Sequence, residues 1–316
     1  MTVGIPKGLL YSKYHVFAES FFRALGMDVV TSPDTNKEIL DEGVKSCVDD
    51  ACLPVKVFHG HVQWLMDKCD YLLMPRFLSL EKRKSLCPMF CGLVEMVKSS
   101  ITGLPPLIDS PVYSLDKKRL QEWAVQSGSF LTRDKKAIAD AFEYALGKQK
   151  NHQTALNDDG YSYRIALIGH TYNIHDAFIN MNLVKKLHAM DIGVVTTESV
   201  AKDDIAIHAG GLYKPPFWYF AREYYGAAVS LYKNKLVDGF IYVSAFSCGV
   251  DSVVIELINL EADSLPFMVL KIDEHTGEAA IDTRIEAYAD MLKRRVQIGY
   301  HRPTHGQHMP CRQSVF

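Results

Sequence analysis

Three cysteines stand where their thiols can do chemistry: Cys52 in Ala51-Cys52-Leu53-Pro54, Cys87 in Leu86-Cys87-Pro88, and Cys248 in Ser247-Cys248-Gly249. Each lies beside a Pro or Gly, and two of them follow an apolar run. Thiolates on loops held by a rigid scaffold are what a metal or iron–sulfur site needs. Structural cysteines fall more often inside the apolar runs. No tight Cys-x-x-Cys pair occurs, so free thiols in small loop pockets and zinc on the same residues both stay open. Cys91 can serve as a fourth ligand, because Cys87-x-x-x-Cys91 brings two sulfurs to one side of a helical turn. Cys69 flanks an apolar run and reads as core, Cys311 falls in the tail, and Cys47 is ambiguous. Seven cysteines are an odd number and a poor basis for a disulfide framework. A reducing compartment would leave them free.

Asp273-Glu274-His275-Thr276-Gly277-Glu278 is too polar for a simple connection. Thr283-Arg284-Ile285-Glu286 fits a capping box for the following helix, which explains Asp282, Thr283 and Glu286. Asp273, Glu274 and His275 have no such explanation. Glu274 and His275 are therefore the candidate catalytic residues, for acid–base work, set against a solvated loop. His59-Gly60-His61 resembles a metal pair, but positions two apart diverge on a helix, so both histidines read as satisfied groups. Lys7, Lys56 and Arg76 can neutralise an anion at strand ends or serve as ordinary surface charge. The aromatic run Phe217-Trp218-Tyr219-Phe220 with Tyr224-Tyr225 reads as core or domain interface. No GxxxxGK[ST] or GxGxxG pattern occurs, so no nucleotide loop is expected.

The elements that must position these groups come in two similar halves. The first has the strand Val3–Ile5, a helix from about Tyr14 to Leu25, and the strand Asp28–Thr31. The second has Ile165–Ile168, a helix from about Asp176 to Leu187, and Ile192–Thr196. Asp70–Pro75 then corresponds to Asp238–Val243, and Leu104–Asp109 to Leu265–Leu270. Continuous apolar strands separated by helices imply parallel sheets with crossovers. The expected fold is α/β: two similar Rossmann-like, doubly wound parallel-sheet domains with a site in the cleft between them. The expected boundaries are 1–155, 156–297 and an irregular tail, 298–316, with a polar linker from Gln149 to Gly160.

Ligands of such sheets bind beyond the carboxyl ends of the strands. Lys7, Arg76, Cys87, His170, Cys248 and Asp273–His275 all follow apolar strands. Cys87 and Cys248 follow corresponding strands of the two halves, so facing domains would bring them together, with Cys52 joining from the first.

The 316 residues are 48% hydrophobic and 23% charged, in the range of a soluble globular protein. A net charge of −2 argues against nucleic-acid binding by bulk charge. The first residues lack a signal-peptide pattern, and no apolar run is long enough to span a bilayer. No membrane partner is expected, and the chain reads as cytoplasmic.

Several segments together resemble a known family. They are Asn36–Leu40, Ala51-Cys52-Leu53-Pro54-Val55-Lys56, His59-Gly60-His61, Pro75-Arg76, Cys87-Pro88, Gly169-His170, Asp238-Gly239, Ser247-Cys248-Gly249-Val250-Asp251-Ser252, Asp273–Glu278 and Thr283–Ala287. The chain resembles the acyl-CoA dehydratase activase-related proteins, relatives of 2-hydroxyacyl-CoA dehydratase, benzoyl-CoA reductase and double-cubane-cluster protein subunits. Val250 stands where Pro is usual in that pattern, and Ala280 where Gly is usual. The resemblance implies an oxygen-sensitive iron–sulfur protein of anaerobes, with Cys52, Cys87 and Cys248 holding a [4Fe–4S]-type or double-cubane cluster. It also implies a separate ATP-hydrolysing activator of the sugar-kinase/actin type that donates low-potential electrons, and a homo- or heterodimer. Two functions follow as expectations. One is an electron-accepting reductase or dehydratase-type component. The other is a non-catalytic assembly or regulatory partner of the activator, with structural or zinc-bound thiols.

Overall fold

In the computed structural model, which describes residues 1–82 and 84–297, the chain forms two compact units that divide between Gln153 and Thr154. The first begins β1 (Thr2–Ile5), α1 (Tyr11–Ala24), β2 (Asp28–Thr31), α2 (Lys37–Lys45), α3 (Leu53–Leu65) and β3 (Tyr71–Leu73). Short strands β4 (Arg76–Phe77), β5 (Ser79–Glu81) and β6 (Lys84–Ser85) lead to α4 (Pro88–Cys91) and α5 (Leu93–Ser100). β7 (Leu107–Ile108), β8 (Pro111–Val112), α6 (Lys117–Gly128) and α7 (Lys135–Gln149) complete it.

The second unit runs β9 (Tyr163–Gly169), α8 (Thr171–Ile174), α9 (Leu183–Ala189), β10 (Ile192–Thr196), α10 (Lys202–Gly210) and α11 (Tyr219–Lys233). It ends β11 (Gly239–Ala245), α12 (Gly249–Glu261), β12 (Phe267–Ile272) and α13 (Glu278–Gln297). The tail expected at 298–316, with Cys311, lies outside the described residues.

Each unit is Rossmann-like. The strand orders are β2-β1-β3-β7 and β10-β9-β11-β12, and every pairing within these sheets is parallel. The order is the same in both, with its reversal beside the first strand of the unit. Apolar side chains supply the drive: all residues of β10 and β11 are buried. In the first unit Phe17, Phe21 and Phe22 of α1 pack with Trp123 and Phe142 beneath Val3 and Ile5.

Two expected helices differ from those observed. The segment from Asp176 is not a continuous helix; Met181 and Asn182 adopt φ of 54° and 57°, and α9 starts only at Leu183. Asx side chains explain the break. The Asp176 carboxylate accepts from the amides of Phe178 and Ile179, and the Asn180 amide binds the carbonyls of Asn173 and Ile174. Such bonds compete with helical ones. The capping box at Thr283 is also absent. α13 starts at Glu278, and the Thr283 hydroxyl donates to the Ala279 carbonyl inside the helix. Asp282 and Glu278 instead pair with Lys186.

A further element of the repeat is a helix pair before the third strand of each unit. Gly60 and Gly226 are each the eighth residue of their helices, α3 and α11. An added Cβ would lie 1.8 Å from the Ile39 carbonyl oxygen of α2 at Gly60, and 2.3 Å from that of Ile205 of α10 at Gly226. The crossings thus bring backbone against helix, with no room for a methyl group. Gly60→Ala is expected to lower the stability of the first unit, and Gly226→Ala that of the second, by about 3 kcal/mol each. Gly147→Ala, at an open helical position, is expected to raise stability by about 0.5–1 kcal/mol. Urea denaturation of the three variants measures this, and a Gly60→Ala protein as stable as the parent would contradict the packing.

Candidate functional site

All three candidate ligand cysteines are helix N-caps. Cys52 precedes α3, Cys87 precedes α4, and Cys248 precedes α12, each with extended backbone at φ of −66°, −65° and −78°. Pro54 and Pro88 stand in the first turns of α3 and α4, where their missing N–H costs nothing. In no case does the thiol itself cap its helix. A helix start presents unpaired N–H groups and partial positive charge. α3 and α12 have 13 residues each and α4 has four. Cys52 and Cys87 belong to the first unit and Cys248 to the second. Cys87 and Cys248 both open the helix that follows the third strand of their sheets. The counterpart of Cys52 in the second unit is Trp218, the N-cap of α11.

Around Cys248 the second unit builds a polar centre within its apolar core. His170 is the residue after β9, turned by Gly169, whose φ of +147° and 2.3 Å Cβ distance to the Val243 oxygen exclude a side chain. Asp251 lies one turn into α12 and has 0% exposure. Nε2 of His170 is 3.3 Å from Asp251 Oδ1 and 4.0 Å from Cys248 Sγ. The Tyr242 hydroxyl donates to the same Oδ1 at 2.8 Å, and the Tyr224 hydroxyl meets His170 Nδ1 at 3.1 Å. The imidazole stacks on Tyr172 at 4.8 Å and meets Phe220 and Tyr224 edge-on at 5.0 and 5.1 Å. Among the described residues, His170, Cys248 and Asp251 form a group that could hold a metal ion, with one ligand atom each, all within 4.8 Å.

The electrostatics follow from this geometry. Burial opposes a charge on His170, but the Asp251 carboxylate and then Cys248 outweigh it and hold the imidazole pKa above its ordinary value. Burial likewise opposes the Asp251 charge, and His170 with Tyr242 holds its carboxyl below the usual range. Burial first, and neighbouring acids second, push the Tyr224 and Tyr242 hydroxyls well up, so both remain neutral. The centre is therefore a buried ion pair lying against the sulfur.

Other sequence candidates divide clearly. The Cys91 thiol points to the Leu86 and Leu78 carbonyls at 3.7 and 3.9 Å, and burial pushes its pKa up. The Cys69 thiol bonds Leu65 O at 3.3 Å and packs on Gly4. Burial also raises Cys47. Asp273 has a structural task that the sequence did not reveal: its carboxylate accepts from the His275 amide at 3.0 Å and the Thr276 hydroxyl at 2.7 Å, closing the turn after β12. Glu274 is half-buried and His275 exposed on that turn. Arg76 is held by Glu95 and by Asp109 at 3.1 Å, and Lys7 by Asp34 at 2.8 Å. The aromatic start of α11 proves to be a wall of the His170 centre.

Sequence reasoning placed His170 at a strand end but missed Asp251, Tyr242 and Tyr224. The Cys248-to-Asp251 spacing of one helical turn could have signalled the first. The two tyrosines carry no local signal, because their roles depend on strand order.

The profile of a family described as "CoA enzyme activase uncharacterised domain" matches residues 2–200, more than half of the 316-residue chain. That span includes Cys52, Cys87 and His170 and stops before Cys248. No curated protein matches the chain significantly. Among solved structures, the chain is similar to glutamate racemase isoform RacE1 from Bacillus anthracis. The identity is 12% and the TM-score 0.22, over 93% of this chain and 82% of that one. A likeness of that degree carries no argument.

His59 and His61 of α3 are both at 0% exposure. Nδ1 of His61 has no hydrogen-bond partner, while Nε2 meets the Thr35 hydroxyl at 3.1 Å. Burial, and then Lys7, press the His61 pKa down from 6.5 to about 3. The folded state keeps this ring neutral while the unfolded chain takes up a proton below 6.5. Its contribution to stability is therefore full above pH 6.5 and is lost as pH falls toward 3, by at most about 1.4 kcal/mol per pH unit. Urea denaturation across that window should show a shallower loss of first-unit stability in His61→Gln, and parallel slopes would refute the role.

Proposed function

This chain belongs to the CoA enzyme activase uncharacterised domain family, and on that premise we propose that it is an iron–sulfur redox component of CoA-enzyme activation. In this reading Cys52, Cys87 and Cys248 hold a [4Fe–4S]-type cluster that accepts low-potential electrons from a separate ATP-hydrolysing activator of the sugar-kinase/actin type. The carrying observation is that these three cysteines share one local design, an extended helix N-cap whose thiol is not spent on the helix.

The donor set fits the group. Soft thiolates bind iron–sulfur clusters, and three of them leave one iron for a substrate or other exogenous ligand. The bound cluster would supply one-electron chemistry. The chain's own part is to hold the sulfurs, surround Cys248 with His170 and aromatic rings, and keep the ion pair dry. Glu274 and His275, on the turn that Asp273 closes, are the proposed proton donors and acceptors. A homo- or heterodimer is proposed on the resemblance alone. No helix among the described residues is long and apolar enough to cross a membrane, and a cytoplasmic setting belongs to the same proposal.

A second reading is favoured by one observation. His170, Cys248 and Asp251 bring three ligand atoms together within one unit, which suits zinc held with one further ligand in a non-catalytic assembly partner.

Anaerobic purification and reconstitution, with iron and sulfide analysis and EPR of the reduced protein, separates the two. Bound iron and sulfide are expected, lost in Cys52→Ala, Cys87→Ala and Cys248→Ala but retained in Cys91→Ala. A protein that takes up zinc stoichiometrically and no iron supports the second reading. Unchanged iron content in Cys248→Ala overturns the ligand assignment.

A further inference from the structure

We infer that His170 is a fixed hydrogen-bond donor to the Cys248 sulfur, with Asp251 as the positioning residue that keeps the donating proton on Nε2. The inference rests on the proposed role of Cys248 as a cluster ligand, but its geometry stands within one unit of the fold.

A cysteine beside a histidine and an acid can also make a nucleophile activated by a general base, and the arrangement here argues against it. A base that takes the proton of a neutral Cys248 thiol must offer it a bare nitrogen. The nitrogen facing the sulfur is Nε2, and it also faces Asp251 Oδ1 at 3.3 Å. An ionised carboxylate only accepts, so Nε2 must carry a proton to satisfy it. The acid of a relay would bind the opposite nitrogen, but that nitrogen meets the Tyr224 hydroxyl. The ring cannot exchange its two nitrogens easily, because Tyr172 stacks on it and Phe220 meets it edge-on.

Ordinary helix capping does not account for Asp251 either. An acid in the third helical position can reach back to the N-cap amide. The Cys248 amide donates instead to the Ala245 carbonyl at 3.0 Å, and Asp251 turns inward to Tyr242 and His170. Its second oxygen, Oδ2, has no hydrogen-bond partner at 0% exposure. A fully buried carboxylate with one oxygen unmet destabilises the fold, and a Leu of similar size would avoid that cost. What the carboxylate accomplishes is the orientation of one N–H toward one sulfur.

Hydrogen bonds to ligand sulfurs help set cluster potentials. A donor stabilises the electron-rich reduced state, so its loss makes reduction harder. Outer partners that orient such groups act through them.

The test uses the reconstituted full-length protein with EPR-monitored redox titration. His170→Leu and Asp251→Asn are expected to retain the iron of the parent and to shift the midpoint potential to more negative values. The double variant is expected to shift no further than His170→Leu, because Asp251 acts through the ring. Full iron with an unshifted potential in His170→Leu overturns the inference alone. Metal-free protein labelled with ¹⁵N in histidine gives an independent readout. His170 Nε2 should be protonated, and its resonance should move in Cys248→Ser and Asp251→Asn but not in Cys91→Ala. An unprotonated Nε2 in the parent overturns the inference whether or not a cluster binds. A parent that binds no iron but shows the protonated Nε2 refutes the proposed function and leaves the donor assignment supported.

Discussion

A parallel sheet obliges the chain to leave the end of each strand, cross over, and return to the start of the next. Helix N-termini are therefore gathered where strands end. α4 and α12 begin beyond the third strands of their units, and Cys87 and Cys248 are their N-caps. α3 obeys the same constraint from the other side. It runs into β3 through residues 66–70, so its far end, which carries Cys52, is displaced toward the carboxyl edge of the sheet. The glycine crossing with α2 sets the angle at which it does so. One topological rule thus places three thiols at three positively polarised helix starts without any short sequence motif linking them.

The parts of this arrangement legible in the sequence are those governed by local rules. Apolar runs marked the strands, and Ile192–Thr196 agrees with β10 at both ends. Turn residues beside Cys52, Cys87 and Cys248 marked them as loop thiols, and the repeat aligned Cys87 with Cys248. The remainder depended on non-local contacts or on competing side chains. Tyr242 and Asp251 meet only because β11 leads into α12 with a particular twist, and Tyr224 reaches His170 from a separate helix. Asp176 and Asn180 broke an apolar periodicity that otherwise reads as helix. At Thr283 the capping pattern was present, but Glu278 already opened the helix, supported by its pairing with Lys186.

The helix crossings and the cysteines obey different constraints. Gly60 and Gly226 occupy the same helical position because any larger residue would strike a backbone oxygen. Their agreement follows from packing and says nothing of chemistry. One position before each of these helices lies an N-cap that packing leaves free to vary, and there the units differ, with Cys52 in one and Trp218 in the other. The scaffold is common to both units, while the reactive side chain is not.

The same contrast separates the two cysteines that do correspond. After β9 the chain places His170 against Cys248; after β1 the matching segment is Pro6-Lys7, and Lys7 pairs with Asp34 instead. Asp251 has a fully buried carboxylate whose Oδ1 is met by both Tyr242 and His170. Removing one partner of a buried pair costs more than never having built it, about 3–5 kcal/mol. The network is therefore a poor device for stability and a good one for orientation. It sits beside Cys248 in the second unit, and the matching position of the first unit holds Lys7 in its place. An asymmetric field is what a duplicated scaffold must acquire before one of its thiols can differ electronically from another.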